Sequence, residues 1–315
     1  MEHTVLRYEK EVKYMNNENK TNINWYPGHM LKTKKQIIED LKLIDVVLEV
    51  LDARIPMSSQ NPDIKKIISK KKKIVILNKA DLAEEKETNK WARYFANNGI
   101  KAIPTDLNLG KGTKEILKQI EKAMQEELEK AAAKGRTNKN IRIMIIGIPN
   151  VGKSSLINRL VNKKTAEVGN RPGVTKQKQW VRIEKNIELL DTPGVLWPKF
   201  EDEKVALNLA YTGSIKDEIL PKTEVAYQLL KLLYTNYKIE FLTKYKLTEE
   251  DISSIITNVD CDFILELMNL IAKKRGALIS GGEIDYEKVA GIILTDFRTG
   301  KIGRITLEQV DNGKK

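Results

Sequence analysis

Two short stretches carry side chains whose types and spacing suit phosphate and purine chemistry. Gly147-Ile148-Pro149-Asn150-Val151-Gly152-Lys153-Ser154 fits the pattern G-x-x-x-x-G-K-S/T in full. It follows the apolar run "IRIMII" (141–146) and opens "SLINRLV", which has a helical period. Glycines there let backbone N–H groups turn inward around phosphate oxygens, and the helix N-terminus adds its dipole. Asn150, Val151, Gly152, Ser154 and Ser155 are then phosphate-loop positions, Lys153 neutralises the β/γ-phosphates and Ser154 ligates Mg²⁺. Asn78-Lys79-Ala80-Asp81 follows "IVIL" (74–77), a buried-type strand. The Asp81 carboxylate can accept from guanine N1–H and from the 2-amino group. Adenine offers neither donor and would leave the carboxylate desolvated and unpaired. The Lys79 stem can cover the base plane.

Two further segments complete the set. Asp191-Thr192-Pro193-Gly194 follows "IELL" (187–190). There Asp191 can hold Mg²⁺ through a water, and the Gly194 N–H can bond the γ-phosphate and so sense its presence. The intervening "GNRPGVTKQKQW" (169–180) is polar and glycine-bearing, and Thr175 is its candidate Mg²⁺ ligand. "PTDLN" (104–108) comes after the next strand as a second base-side loop, with Thr105 and Asp106 as candidate contacts. Taken along the chain, the order is base loop, second base loop, phosphate loop, first switch, second switch. Most nucleotide-binding chains of this kind begin with the phosphate loop, so the domain reads as rewired.

The elements that must position these loops are strand-like runs alternating with helical stretches: 44–51, 74–77, 100–104, 141–146 and a hairpin of 180–184 with 187–190. That alternation predicts a mostly parallel sheet covered on both faces, with one antiparallel edge strand. Residues 115–134 form a strong helix that "GRTNKN" (135–140) ends, connecting the two halves. Beyond about residue 220 the period is helical throughout, apart from "GRITLE" (303–308), a candidate strand. The expected organisation is a polar tail at 1–22, a nucleotide-binding α/β domain at 23–218 and a small all-α domain at 219–315.

Composition narrows the function classes. Apolar residues make up 41% of the 315, enough for a sizeable core, and no apolar run approaches a membrane span. The N-terminus has no secretory h-region and no Arg/Ser-rich transit character, which favours a bacterial cytoplasm. The single cysteine, Cys261, forms no internal disulfide and reads as a small buried hydrophobe, and no Cys/His cluster suggests zinc. The net charge of +12 lies entirely before residue 222, since residues 222–315 carry 14 basic and 14 acidic side chains. A polyanionic partner follows from that excess.

The sequence resembles the circularly permuted GTPases, and within them the YlqF / ribosome biogenesis GTPase A family. The resembling residues are "WYPGHM" (25–30), "DARIP" (52–56), "NKAD" (78–81), "GIPNVGKSS" (147–155), "RPGVT" (171–175), "DTPGVLWPKFED" (191–202) and the stretch 273–308. They cover nearly the whole chain beyond residue 22. The resemblance implies a circularly permuted Ras-like P-loop GTPase domain followed by an RNA-binding helical module. It implies a GTP-hydrolysing factor that binds immature large (50S) ribosomal subunits, promotes late maturation and leaves on hydrolysis. A small-subunit target, or a GTP-gated scaffold with negligible turnover, are the alternatives.

Ras-like enzymes place a Gln after D-x-x-G; here Val195 stands there, so unaided hydrolysis should be slow and stimulated by the ribosomal subunit. From the residues alone His29 is a loop histidine; the resemblance implies that it orients the attacking water, beside Lys153, Thr175 and Gly194 in catalysis. Asn150 is similar to the Asn of potassium-stimulated GTPases, which implies a K⁺ site in addition to GTP/GDP and Mg²⁺. Lys273, Lys274, Arg275, Arg298, Lys301 and Arg304 are the candidate RNA contacts on a domain of no net charge. The expected protein is a monomer without membrane contact.

Overall fold

The computed structural model describes residues 29–135, 139–161, 180–184, 186–190, 202–256 and 262–310, with side chains from residue 35 onward. Thr175, Asp191, Gly194, Val195, Cys261 and the 1–22 tail lie outside the described residues, as does the side chain of His29. The backbone at His29 opens a helix, not the loop that Pro27-Gly28 suggests.

The first half of the sheet is built from strands β1 (Val46–Asp52), β2 (Lys72–Asn78) and β3 (Lys101–Pro104). Helix α1 (His29–Leu41) precedes them, and α2 (Pro62–Ile67) and α3 (Glu85–Asn97) connect them. The second half is β4 (Ile141–Ile146), α5 (Lys153–Val161), β5 (Trp180–Glu184) and β6 (Ile187–Leu190). The connector α4 (Thr113–Ala133) joins the halves. The sheet order is β3-β2-β1-β4-β6-β5, parallel except for the β5 edge. The antiparallel hairpin at the edge is the one the Lys185-Asn186 turn predicts.

Strand periodicity decides which helix covers which face. Val46, Leu48 and Val50 of β1 share a core with Ile116, Ile120 and Met124 of α4 and with Leu156 and Leu160 of α5. On the other face Val47 packs with Ile37 and Leu41 of α1, and Leu51 with Trp91 and Phe95 of α3. A one-residue slip of β1 would exchange these faces, so its register is fixed by burial. Local signals mark the helix ends. Asn61 accepts from Asp63 N and Ile64 N at the start of α2, with Pro62 at its first position.

After β6 come α6 (Glu203–Tyr211), α7 (Lys222–Asn236), α8 (Lys238–Tyr245), α9 (Glu249–Ile256), α10 (Phe263–Arg275) and α11 (Tyr286–Arg298). Helix α10 is capped by Asp262 and ended by Gly276 at φ 64°, with Lys273, Lys274 and Arg275 suiting its negative C-terminal dipole. The core is continuous from the sheet through Leu209 and Tyr211 of α6 into α7, α10 and α11. No helix among the described residues is long and apolar enough to cross a membrane.

One expectation is corrected. Residues 303–308 form no strand; 302–310 run back as an irregular strap across the α/β domain. Ile305 N donates to Leu82 O, Leu307 N to Arg54 O and Trp91 Nε1 to Glu308 O. The alternation of Ile305 and Leu307 is that of a half-buried extended segment, but their N–H groups go singly to loops and not to a strand edge.

Candidate nucleotide-binding site

The site lies where strand order reverses. β1 leads outward to β2 and β3, β4 leads outward to β6 and β5, and the crevice between β1 and β4 opens at their carboxyl ends. The phosphate loop leaves β4 there. A Cβ on Gly147 would stand 2.6 Å from Val50 O, and one on Gly152 would stand 2.1 Å from Asn78 Nδ2, so neither position admits a side chain. Asn150 adopts φ 61°, a left-handed conformation that Asn tolerates better than most residues.

Asn78 ties three loops together. Its Nδ2 donates to Val151 O at 2.7 Å, and its Oδ1 accepts from Leu107 N at 3.2 Å and from Thr105 Oγ1 at 3.3 Å. Asn78 and Thr105 are both buried, and Ala80 N donates to Thr105 O at 3.0 Å. The base loop, the second base loop and the phosphate loop are thus one hydrogen-bonded unit, although the chain makes the first two long before the third. Arg159 of α5 reinforces it: Nε donates to Leu107 O at 2.9 Å and Nη2 to Asn108 O.

Asp81 is half-buried at the rim. Burial pushes its carboxyl up, the Asp106 charge adds to the rise, and its own backbone N–H, Arg54 and Arg304 pull it back. Asp106 is turned into its own loop, where Oδ1 accepts from Asn108 N and Leu109 N. Lys79 stands at φ 60° with Nζ 3.0 Å from Asp52 Oδ2.

Lys153 Nζ donates to Ile148 O at 2.6 Å, and burial lowers its ammonium to about 8. A phosphate would replace that carbonyl and strengthen the charged form. Ser154 is exposed in the first turn of α5 beside Lys153, and its hydroxyl is a hard oxygen donor that fits Mg²⁺. If held there, Mg²⁺ would supply neutralisation of the charge that develops during phosphoryl transfer. Ser155 is partly buried in the same turn. Asn150 Nδ2 donates to Gly213 O at 2.6 Å, in the turn that leads toward the helical region.

Five of the six candidate RNA contacts pair with carboxylates within the protein. Arg298 forks onto Asp217 with two 2.8 Å bonds and also reaches Ala210 O and Tyr211 O. Arg275 and Lys301 stand 3.6 and 4.0 Å from the buried Asp296, which Lys244 also approaches at 3.5 Å. Lys274 pairs with Asp251 at 2.7 Å, Arg304 with Glu85 at 3.9 Å, and Lys273 is exposed.

Sequence reasoning gave no role in the site to Arg54, Ser58, Asn208 or Glu308. The Glu308 carboxylate accepts from Met57 N at 2.6 Å, Ser58 N at 2.9 Å, Ser58 Oγ, and Asn208 Nδ2 at 3.3 Å. Its partners lie 100 to 251 residues away, so no local pattern marks it.

Comparison with known proteins agrees with this geometry. A family model described as "50S ribosome-binding GTPase" matches residues 142–269, beginning at the phosphate-loop strand, with Asn78–Asp81 lying before it. Ribosome biogenesis GTPase A of Priestia megaterium is 47% identical over 289 residues, covering 91% of this chain and 96% of that one. The Bacillus cereus protein of the same name is 46% identical, covering 91% and 93%. A solved GDP-bound structure of TM YlqF superposes with a TM-score of 0.63 at 28% identity, over 88% of this chain and all of that one. A circularly permuted α/β fold with joined base and phosphate loops, and relatives matched over nine tenths of the chain, place it in the ribosome biogenesis GTPase A family, as a GTP-hydrolysing enzyme.

Proposed function

We propose that the protein is an assembly factor that binds the immature large ribosomal subunit in its GTP state, promotes late maturation and leaves on hydrolysis. The observation that carries this reading is a short path from the phosphate loop to the helical region. Asn150 holds Gly213 O, and Arg298 of α11 holds the carbonyls of Ala210 and Tyr211 just before it. A change at the phosphates therefore has a mechanical route to the surface that would meet RNA. Asn78, Lys79, Ala80 and Asp81 hold guanine, with Thr105 and Asp106 behind them. Asn150 to Ser155 and Gly194 hold the phosphates. Ser154, Thr175 and Asp191 hold Mg²⁺, and Asn150 Oδ1 takes K⁺. His29 orients water once a ribosomal particle positions it, in the absence of a Gln after Gly194. Lys273, Lys274, Arg275, Lys301 and Arg304 are the RNA-facing charges, and Arg298 fastens that surface to the GTPase domain. The factor acts as a cytoplasmic monomer.

Co-sedimentation with ribosomal particles at physiological salt, with a non-hydrolysable GTP analogue against GDP, tests this. Pelleting with immature large-subunit particles in the GTP-like state alone is expected. Equal pelleting in both states, or pelleting with small-subunit particles, overturns it.

A further inference from the structure

The "DARIP" segment places a buried charge cluster behind the guanine loop. Asp52 ends β1 directly opposite Asn78 of β2 in the parallel register. It is fully buried, and its carboxylate is saturated: Oδ1 accepts from Arg54 N and Nε at 3.0 Å, and Oδ2 faces Arg54 Nη2 at 2.8 Å and Lys79 Nζ at 3.0 Å. Burial alone would raise the Asp52 carboxyl, but the Arg54 and Lys79 charges overcome it and hold it well below the usual carboxylate range. Asp52 is therefore a permanent anion against which Lys79 is pinned.

Lys79 needs such a pin. It stands at φ 60°, a left-handed conformation that residues with a Cβ rarely adopt. A lysine stem also has many rotamers, of which only a few would lie along a base plane. Fixing the ammonium at Asp52 selects among them before the nucleotide arrives, which is preorganisation. The cluster then continues away from the base. The Arg54 guanidinium lies 5.2 Å from the ring centre of Phe297 in α11, and Arg54 O accepts Leu307 N of the strap.

We propose that Asp52 is a positioning residue for the guanine loop, anchoring Lys79 for base stacking, and that Arg54 and Phe297 connect this anchor to α11. The proposal rests on residues 78–81 being the base loop. It predicts that base affinity is set in part by a side chain that never touches nucleotide, and that an aromatic residue of the helical region contributes to it.

Fluorescent GDP and IDP titrations of the full chain test it, alongside kcat at saturating GTP. Lys79→Met keeps the stem and loses the anchor, and should weaken GDP at least tenfold. Asp52→Asn should do the same, with an equal loss for IDP because the stacking does not read the 2-amino group, and with kcat within twofold. The double variant should bind no worse than Lys79→Met alone. Phe297→Leu should weaken GDP and IDP equally, by about threefold or more. Unchanged GDP affinity in Lys79→Met, or additive losses in the cycle, overturns the anchor. An unaffected Phe297→Leu overturns the connection to α11. If Asp52→Asn does not fold, Lys79→Met and Phe297→Leu still decide. Asp81→Asn separates the two levels. It should shift preference toward a xanthine nucleotide, and retained guanine preference there would remove the base-loop reading itself.

Discussion

Replacing Asn78 with Ala removes the side chain that binds three loops into one site. Val151 O and Leu107 N lose their partner in a place where Asn78 is only 4% exposed. Each stranded buried group costs about 1–3 kcal/mol, so the pair costs about 3 kcal/mol in the nucleotide-free protein. For a domain of this size that lowers Tm by roughly 6–12 °C. Bound nucleotide needs the same bridged geometry, so about 2 kcal/mol should also appear as lost affinity, roughly thirtyfold in Kd. Asn78→Asp sharpens the reasoning. A carboxylate still accepts from Leu107 N and Thr105 Oγ1, but it turns a lone pair toward Val151 O. Protonated, it becomes a donor again, so its defect should shrink on acidification while that of Asn78→Ala stays level. Fluorescent GDP titration and thermal melts at pH 5.5 and 8 measure both. GDP affinity within twofold of the parent in Asn78→Ala would show that something other than this side chain holds the loops in register.

Lys153 gives a pH prediction. Its ammonium is lowered to about 8 when phosphates are absent, and bound phosphate raises it. Affinity should be flat below pH 8 and fall above it, by up to tenfold per unit, because binding then takes up a proton. Titration calorimetry in buffers of different ionisation heat should find no proton uptake at pH 7 and clear uptake at pH 8.5. Gly152→Ala forces a Cβ against Asn78 at φ 105° and should abolish nucleotide binding in a protein that still melts cooperatively. Glu308→Ala strands the buried Ser58 N and removes the partner of Met57 N, at a cost of about 1–3 kcal/mol to stability by chemical denaturation. Ending the chain after Lys301 deletes the whole strap, and GDP should dissociate at least several times faster in stopped flow.

The phosphate and base loops were legible because their requirements are local: glycines where the backbone must turn, and Asn-Lys-x-Asp at a strand end. The permuted order followed from reading them in sequence, and the sheet followed from apolar runs of strand length. Helix α8 was not singled out in the sequence, where only Tyr237 separates it from α7. Asp52 and Arg54 were legible as a motif but not as a buried ion pair, because the residues that explain them, Lys79 and Phe297, arrive from other elements. The strap failed for the related reason that alternation shows an extended segment to be half-buried without showing what it lies on. A helical domain separate from residue 219 was a fair reading of period, yet Ile305 to Glu308 rest on the guanine-loop side of the α/β domain. A chain ending near residue 221 would lack these contacts and is expected to retain GTP less firmly.

The strap also has a consequence for synthesis. Glu84 N is held by Thr306 Oγ1, 222 residues later in the chain. At about 5–20 residues per second the ribosome takes roughly 10–45 s to make that interval. For most of it the guanine loop is out of the exit tunnel while its clamp does not yet exist. A nascent or prematurely terminated chain thus lacks the fastening of Glu84 by Thr306, and it is expected to hold nucleotide less firmly than a chain that already carries the strap.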